Sequence, residues 1–141
     1  MTTPEEKAAD CDARSAGRLP GLLGIEFLSV TAERVSAQLP IRTDLLAPNG
    51  FLHAASVIAL ADTACGYGSF ETMPEGATGF TTIELKSNFL GTAREGAISC
   101  EATPQHLGRT TQIWDATVTH DKTSRIIALF RCTQMILRPS T

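Results

Sequence analysis

PNGFLHAASVIALADTACGYG, residues 48–68, opens on a turn and runs into a helix. Pro48-Asn49-Gly50 is a turn signal. After His53 follow about four turns of helix-compatible sequence carrying Ala54, Ala55, Val57, Ile58, Ala59, Leu60, Ala61, Ala64 and Cys65. These apolar residues fall on every side of a helical projection, which predicts a helix at about 53–69 buried all round rather than an amphipathic surface helix. The interior of the run holds one charge, Asp62. A carboxylate there must be paired, neutralised, or open to a cavity. Two readings follow from these residues: a core aspartate held by hydroxyls or amides, or a catalytic carboxylate on a pocket wall.

Outward from this helix, the chain alternates between strand-like and turn-like sequence. Residues 3–18 begin Thr-Pro-Glu-Glu, an N-cap followed by proline and acids in the first turn, and predict an N-terminal helix that Pro20-Gly21 ends. Residues 25–31 and 34–41 read as a hairpin. FTTIELKSNFL (80–90) alternates, with Thr82, Glu84, Lys86 and Asn88 on one face and Ile83, Leu85, Ser87 and Phe89 on the other. Segments 97–107, 110–120 and 124–138 are three further strands, with turns at Gly108-Arg109 and Asp121-Lys122. The order of elements predicts an α+β fold with an antiparallel sheet of about six strands wrapped around the central helix. At 141 residues the chain is expected to form a single domain, 1–141. The helix's far side then needs a cover that so short a chain cannot supply, which points to a dimer partner.

Composition removes several classes of function. The net charge is −3 with no cluster of Lys or Arg, which argues against nucleic acid as a partner. No apolar stretch approaches the length of a membrane span. The first ten residues, MTTPEEKAAD, lack the apolar core of a signal peptide. Cysteines 11, 65, 100 and 132 form no C-x-x-C pair and have no histidine at ligand spacing, so they read as reduced core thiols. A cytoplasmic protein without a metal or other cofactor is the expectation.

GFLHAASVIALAD, followed by TTIELKSNFL, TAREG and GRTTQIWDATV in that order, resembles the hot-dog-fold acyl-CoA thioesterases of the phenylacetate-pathway (PaaI-like) group. The resemblance covers most of the chain, from about residue 22 to 137. It implies a curved antiparallel sheet around a central helix, paired into dimers and often tetramers. It also implies hydrolysis of an acyl-CoA thioester, with coenzyme A as part of the substrate rather than a cofactor. Asp62 falls on the family's carboxylate, either general base or nucleophile. The Ala54 N–H matches the donor that polarises the thioester carbonyl. His53 is mainly structural in the family, although an isolated histidine would also suit a general base. Thr82 aligns with a Ser/Thr that helps position water or the carboxylate. Many relatives carry Asn or Gln at the position of Ala47; Asn49, two residues later, either replaces that amide or serves only the turn. Arg94, and the turn with Gly108, Arg109 and Thr110, are the candidates for holding coenzyme A.

Two departures from the family pattern stand out. His-Ala-Ala replaces His-Gly-Gly at 53–55, and Gly66 stands where some relatives have Ser or Thr. Simple helix geometry bears on the site as well. Ala54 and Asp62 lie about 12 Å apart along one helix, whereas a carbonyl under attack needs donor and attacking group within ~3–3.5 Å. Two antiparallel copies of the helix remove the conflict and place two active sites at a dimer interface. The rival readings are a hot-dog enoyl-CoA hydratase or dehydratase, which would need a histidine beside the carboxylate, and a non-catalytic acyl-CoA-binding protein.

Overall fold

A computed structural model describes residues 1–140. The first helix, α1 (Pro4–Ser15), starts in a capping box: Thr3 Oγ1 accepts from the Glu6 amide at 3.1 Å, and the Glu6 carboxylate accepts from the Thr3 amide at 2.8 Å. It stops sooner than the sequence suggests, and Pro20-Gly21 does not end it. Those two residues lie inside a second short helix, α2 (Leu19–Leu23), which closes on Gly24 at φ 88°. Proline is tolerated there because the first turn of a helix has no acceptor for its missing N–H.

The strands are β1 (Glu26–Val30), β2 (Val35–Pro40), β3 (Gly79–Phe89), β4 (Ala97–Leu107), β5 (Thr111–His120) and β6 (Ile126–Leu137). They form one curved antiparallel sheet in the order β1-β2-β4-β5-β6-β3. Helix α3 (Ala54–Glu71) runs across its inner face, and this is the hot-dog arrangement. Strand alternation explains the core. Leu39, Ile98, Cys100, Trp114, Val118, Ala128 and Cys132 point inward and meet Leu60, Ala61, Ala64 and Cys65 of α3. Each large apolar side chain so enclosed contributes about 1.5–3 kcal/mol.

The helix is not buried all round within one protomer. Ile58, Ala59, Asp62, Thr63 and Gly66 form a half-exposed strip, and Phe70 is exposed. The two edges of the sheet also differ. β1 is five residues long, bulged at Leu28 and packed against α1. β3 is eleven residues long with its outer edge unpaired, and it leaves Ile83, Leu85 and Phe89 exposed.

Strict alternation along β3 fails at one point. Thr82 pairs with Gln134 and Glu84 with Thr133, so Ile83 is the extra residue of a bulge. Before the bulge Phe80 and Thr82 face inward. After it Leu85, Ser87 and Phe89 share registers with the inward Cys132, Phe130 and Ala128. Thr82 therefore shares the inner face with Leu85 and Ser87, not the outer face with Glu84, Lys86 and Asn88.

Candidate active site

The bulge matters because of where it aims Thr82. Its Oγ1 lies 3.3 Å from Asp62 Oδ1 and donates to Gln134 Oε1 at 2.8 Å. Asp62 projects from the middle of α3 into a cleft of about 240 Å³ lined also by Thr63, Gly66, Tyr67, Phe70, Phe80 and Thr82. Among the described residues, no cation pairs with the carboxylate. Burial strips water from it and pushes its pKa up, and the Thr82 hydrogen bond opposes that rise only in part. A carboxylate held this way is a stronger base than one in water and stays open to a ligand.

One wall of the cleft is fixed by α1. Tyr67 bonds through its hydroxyl to Ser15 Oγ at 2.9 Å and to the Cys11 carbonyl at 3.2 Å. The Arg14 guanidinium lies 4.3 Å from the centre of the Phe70 ring. Gly66 keeps the floor open, since a Cβ there would stand 3.3 Å from Phe80 Cζ.

The start of α3 is a donor site. His53 is the N-cap, and its Nδ1 accepts from the Ala55 amide at 2.9 Å. The Ser56 amide is taken by the His53 carbonyl at 2.9 Å. The Ala54 amide has no acceptor among the described residues, so one N–H at the positive end of the helix is left for a ligand. Around Ala54 lies an apolar hollow of about 320 Å³ formed with Phe51, Leu52, Val57, Phe89, Gly91, Thr92 and Ile127.

The predicted residues fall into separate groups. Asp62 and Thr82 meet. His53 and Ala54 meet each other but stand two helical turns from Asp62. Asn49 serves its turn, with Oδ1 accepting from the Phe51 amide at 3.1 Å, and does not line the Asp62 cleft. Arg94 stacks over Phe51 at 4.4 Å, on the Ala54 side. Gly108, Arg109 and Thr110 form the turn at the other end of β4, where the Gly108 amide bonds to the Thr111 carbonyl at 2.9 Å. The length of that strand separates Arg94 from Arg109 by roughly 33 Å, so one protomer cannot present both to one molecule.

Sequence reasoning missed Gln134, Phe80, Tyr67 and Phe70. Gln134 had a signal: it is a polar residue in phase with inward Phe130 and Cys132 on a strand. Phe80 and Tyr67 carry no such mark, since an aromatic residue in an apolar run reads as core.

Comparison with known proteins bears on this geometry. The pattern of the thioesterase superfamily matches residues 49–127, which include α3, β3 and β4. A 1,4-dihydroxy-2-naphthoyl-CoA hydrolase of Listeria monocytogenes is 29% identical over 111 residues, covering 79% of this chain and 89% of that protein. A thioesterase family protein from Silicibacter pomeroyi superposes with a TM-score of 0.82 at 33% identity, covering 95% of this chain and 98% of the other. A mutant thioesterase from Pseudomonas aeruginosa superposes at 0.87 with 26% identity, covering 92% and 93%. With more than half of its length matched, including the cleft carboxylate and the helix start, the chain belongs to the thioesterase superfamily and is a thioester hydrolase of the hot-dog fold.

Proposed function

We propose that the protein is a cytoplasmic acyl-CoA thioesterase of the phenylacetate-pathway group, working as a homodimer or a dimer of dimers with two sites at each dimer interface. One observation carries the proposal: α3 bears an unpaired donor at Ala54 and an open carboxylate at Asp62, too far apart on one helix to act on the same carbonyl. The free apolar edge of β3 is where a second copy would add, since such an edge is otherwise left to aggregate. Antiparallel pairing of two β3 strands would lay the two α3 helices head to tail. The partner's Ala54 would then face Asp62. The Arg94 end of one protomer would lie beside the Gly108-Arg109-Thr110 turn of the other, which supports coenzyme A held by both subunits.

In this reading the thioester carbonyl oxygen accepts from the partner's Ala54 N–H. Asp62 either takes a proton from water as the water adds to the carbonyl carbon, or adds to that carbon itself. Collapse of the tetrahedral intermediate breaks the C–S bond. On the water path Asp62 returns its proton to the departing sulfur. On the nucleophile path the acyl group stays on Asp62 as a mixed anhydride that water then hydrolyses, and the thiolate of coenzyme A takes its proton from solvent. Phe80, Phe70 and Tyr67 beside an open Gly66 support a flat aryl acyl group, in keeping with the naphthoyl-CoA hydrolase among the relatives.

Complementation tests this. Ala54→Pro removes the N–H at the first helical position, where proline is welcome, and His53 already has the extended backbone a following proline requires (φ −66°, ψ 136°). Ala54→Pro and Asp62→Asn should each lower thiol release by about 10²-fold or more. Co-expressed and randomly paired, they should recover about a quarter of parental activity, because half the dimers are mixed and each mixed dimer has one intact site. Absence of recovery would place donor and carboxylate in one subunit. Full activity of Asp62→Asn would remove Asp62 from the mechanism.

A further inference from the structure

The polar side chains behind Asp62 form a chain whose hydrogens do not balance as they stand. Gln134 and Gln112 face each other across β5 and β6, and both are fully buried. Gln112 is held at both ends of its amide: Oε1 accepts from Trp114 Nε1 at 2.9 Å, and Nε2 donates to the Thr72 carbonyl at 3.2 Å. Among the described residues, Gln134 has only Thr82 Oγ1, 2.8 Å from its Oε1, and Cys132 Sγ, 3.5 Å from its Nε2. Thr82 owns one hydrogen and touches two acceptors, Gln134 Oε1 and Asp62 Oδ1. Given to Gln134, that hydrogen leaves an ionised Asp62 without a donor. Such an arrangement favours the protonated acid, which would donate to Thr82 Oγ1.

We propose that Gln134 is a positioning residue that selects the ionised form of Asp62 by turning its amide N–H toward Thr82. The inference rests on the reading of Asp62 as the catalytic carboxylate. A half-turn of the amide exchanges oxygen and nitrogen with almost no change of shape. Gln134 Nε2 then donates to Thr82 Oγ1, Thr82 has no acceptor left but Asp62 Oδ1, and Gln134 Oε1 accepts the hydrogen of the Cys132 thiol. An ionised Asp62 then has a side-chain donor, and Thr82, Cys132 and one Gln134 N–H each have an acceptor, which a buried network favours. Other titratable groups near Asp62 are few. Tyr67 and Cys65 lie on its own helix and Cys132 on β6. β3 brings Thr82 and Phe80, while Glu84 and Lys86 share registers with Thr133 and Arg131 on the opposite face of the sheet.

The test is the pH profile of kcat/KM, read beside a carbon-13 NMR titration of the Asp62 carboxyl. A hydrogen bond to a charged group is worth enough that losing the Gln134 donor in Gln134→Met should lower kcat/KM about tenfold on the acid limb, with the gap closing as pH rises. Thr82→Val should move the limb the same way, and Thr82→Ser, which keeps the hydroxyl, should leave its midpoint in place. Gln134→Met added to Thr82→Val should move it no further, because the path from Gln134 to Asp62 runs through that hydroxyl. An unmoved limb in Gln134→Met, or one moved toward lower pH because an acceptor was removed, overturns the proposal. In the unsubstituted enzyme, the Gln134 side-chain amide hydrogens should shift as Asp62 titrates; static signals overturn it even if Gln134→Met does not fold. An inactive Asp62→Asn beside an unmoved Gln134→Met limb sinks the relay alone. An active Asp62→Asn sinks the reading beneath it.

Discussion

Gly66 and Gly68 stand two residues apart on α3 and face different surroundings. Gly68 is buried against the indole of Trp114, so close that a Cβ would overlap three ring atoms. Trp114 cannot retreat, being fully buried with its Nε1 bonded to Gln112 at 2.9 Å. Gly66 faces the Asp62 cleft, and the nearest atom to a Cβ there is the tip of Phe80 at 3.3 Å. One glycine lets the helix settle on the sheet, and the other keeps space for a ligand. The same division holds along the helix. Leu60, Ala61, Ala64 and Cys65 are sealed at 0% exposure, while Asp62 and Thr63 remain part-open on the face that borders the cleft.

Alanine at each glycine separates the two roles. Gly68→Ala should destabilise the fold by about 1–3 kcal/mol through overpacking, measured by urea denaturation. Gly66→Ala should do the reverse, gaining up to about 0.5–1 kcal/mol because alanine is the better helix former. It should also raise KM for bulky aryl thioesters as its methyl enters the cleft. Equal losses of stability at both positions would erase the distinction between a packed and an open face.

Asp62→Asn sharpens the contrast from the stability side. The folded-state pKa of Asp62 lies above the ordinary value of 3.8, with burial the main cause. Folding therefore favours the neutral acid: its stabilising contribution is complete below the unfolded value and is lost as pH rises through the folded one. The asparagine variant never carries that charge. It should melt a few degrees above the parent at mildly alkaline pH, with the difference shrinking as pH falls through the folded pKa. A constant difference across the range would mean that the carboxylate is not penalised by its surroundings.

Much of the fold was legible because its signals are local. The apolar run 54–65 marks the central helix, though not its half-open strip. Alternation in 80–90, with the turn signals between the later segments, places β3 to β6 within one or two residues of their observed ends. Asp62 stood out as the lone charge in an apolar run. The bulge at Ile83 was not legible, because it is set by register against β6 and no residue within β3 announces it. With it went the true orientation of Thr82 and its contact with Gln134. The roughly 33 Å between Arg94 and Arg109 was hidden for a similar reason: two turns with similar chemistry give no sign of lying at opposite ends of one strand.

The smallest expected effect concerns His53, where a cap and a general base make different demands. As a cap, the ring needs only its Nδ1 acceptor, which satisfies the Ala55 amide at 2.9 Å. As a general base it would need to gain and lose a proton during each turnover. Asparagine is among the preferred N-cap residues and offers an acceptor oxygen, but it cannot titrate. His53→Asn should therefore hold stability within about 0.5 kcal/mol of the parent and keep kcat close to parental across the pH profile. A loss of 10²-fold or more with an unchanged melting temperature would move His53 from the helix cap into the chemistry. The start of α3 would then supply a base as well as the Ala54 donor.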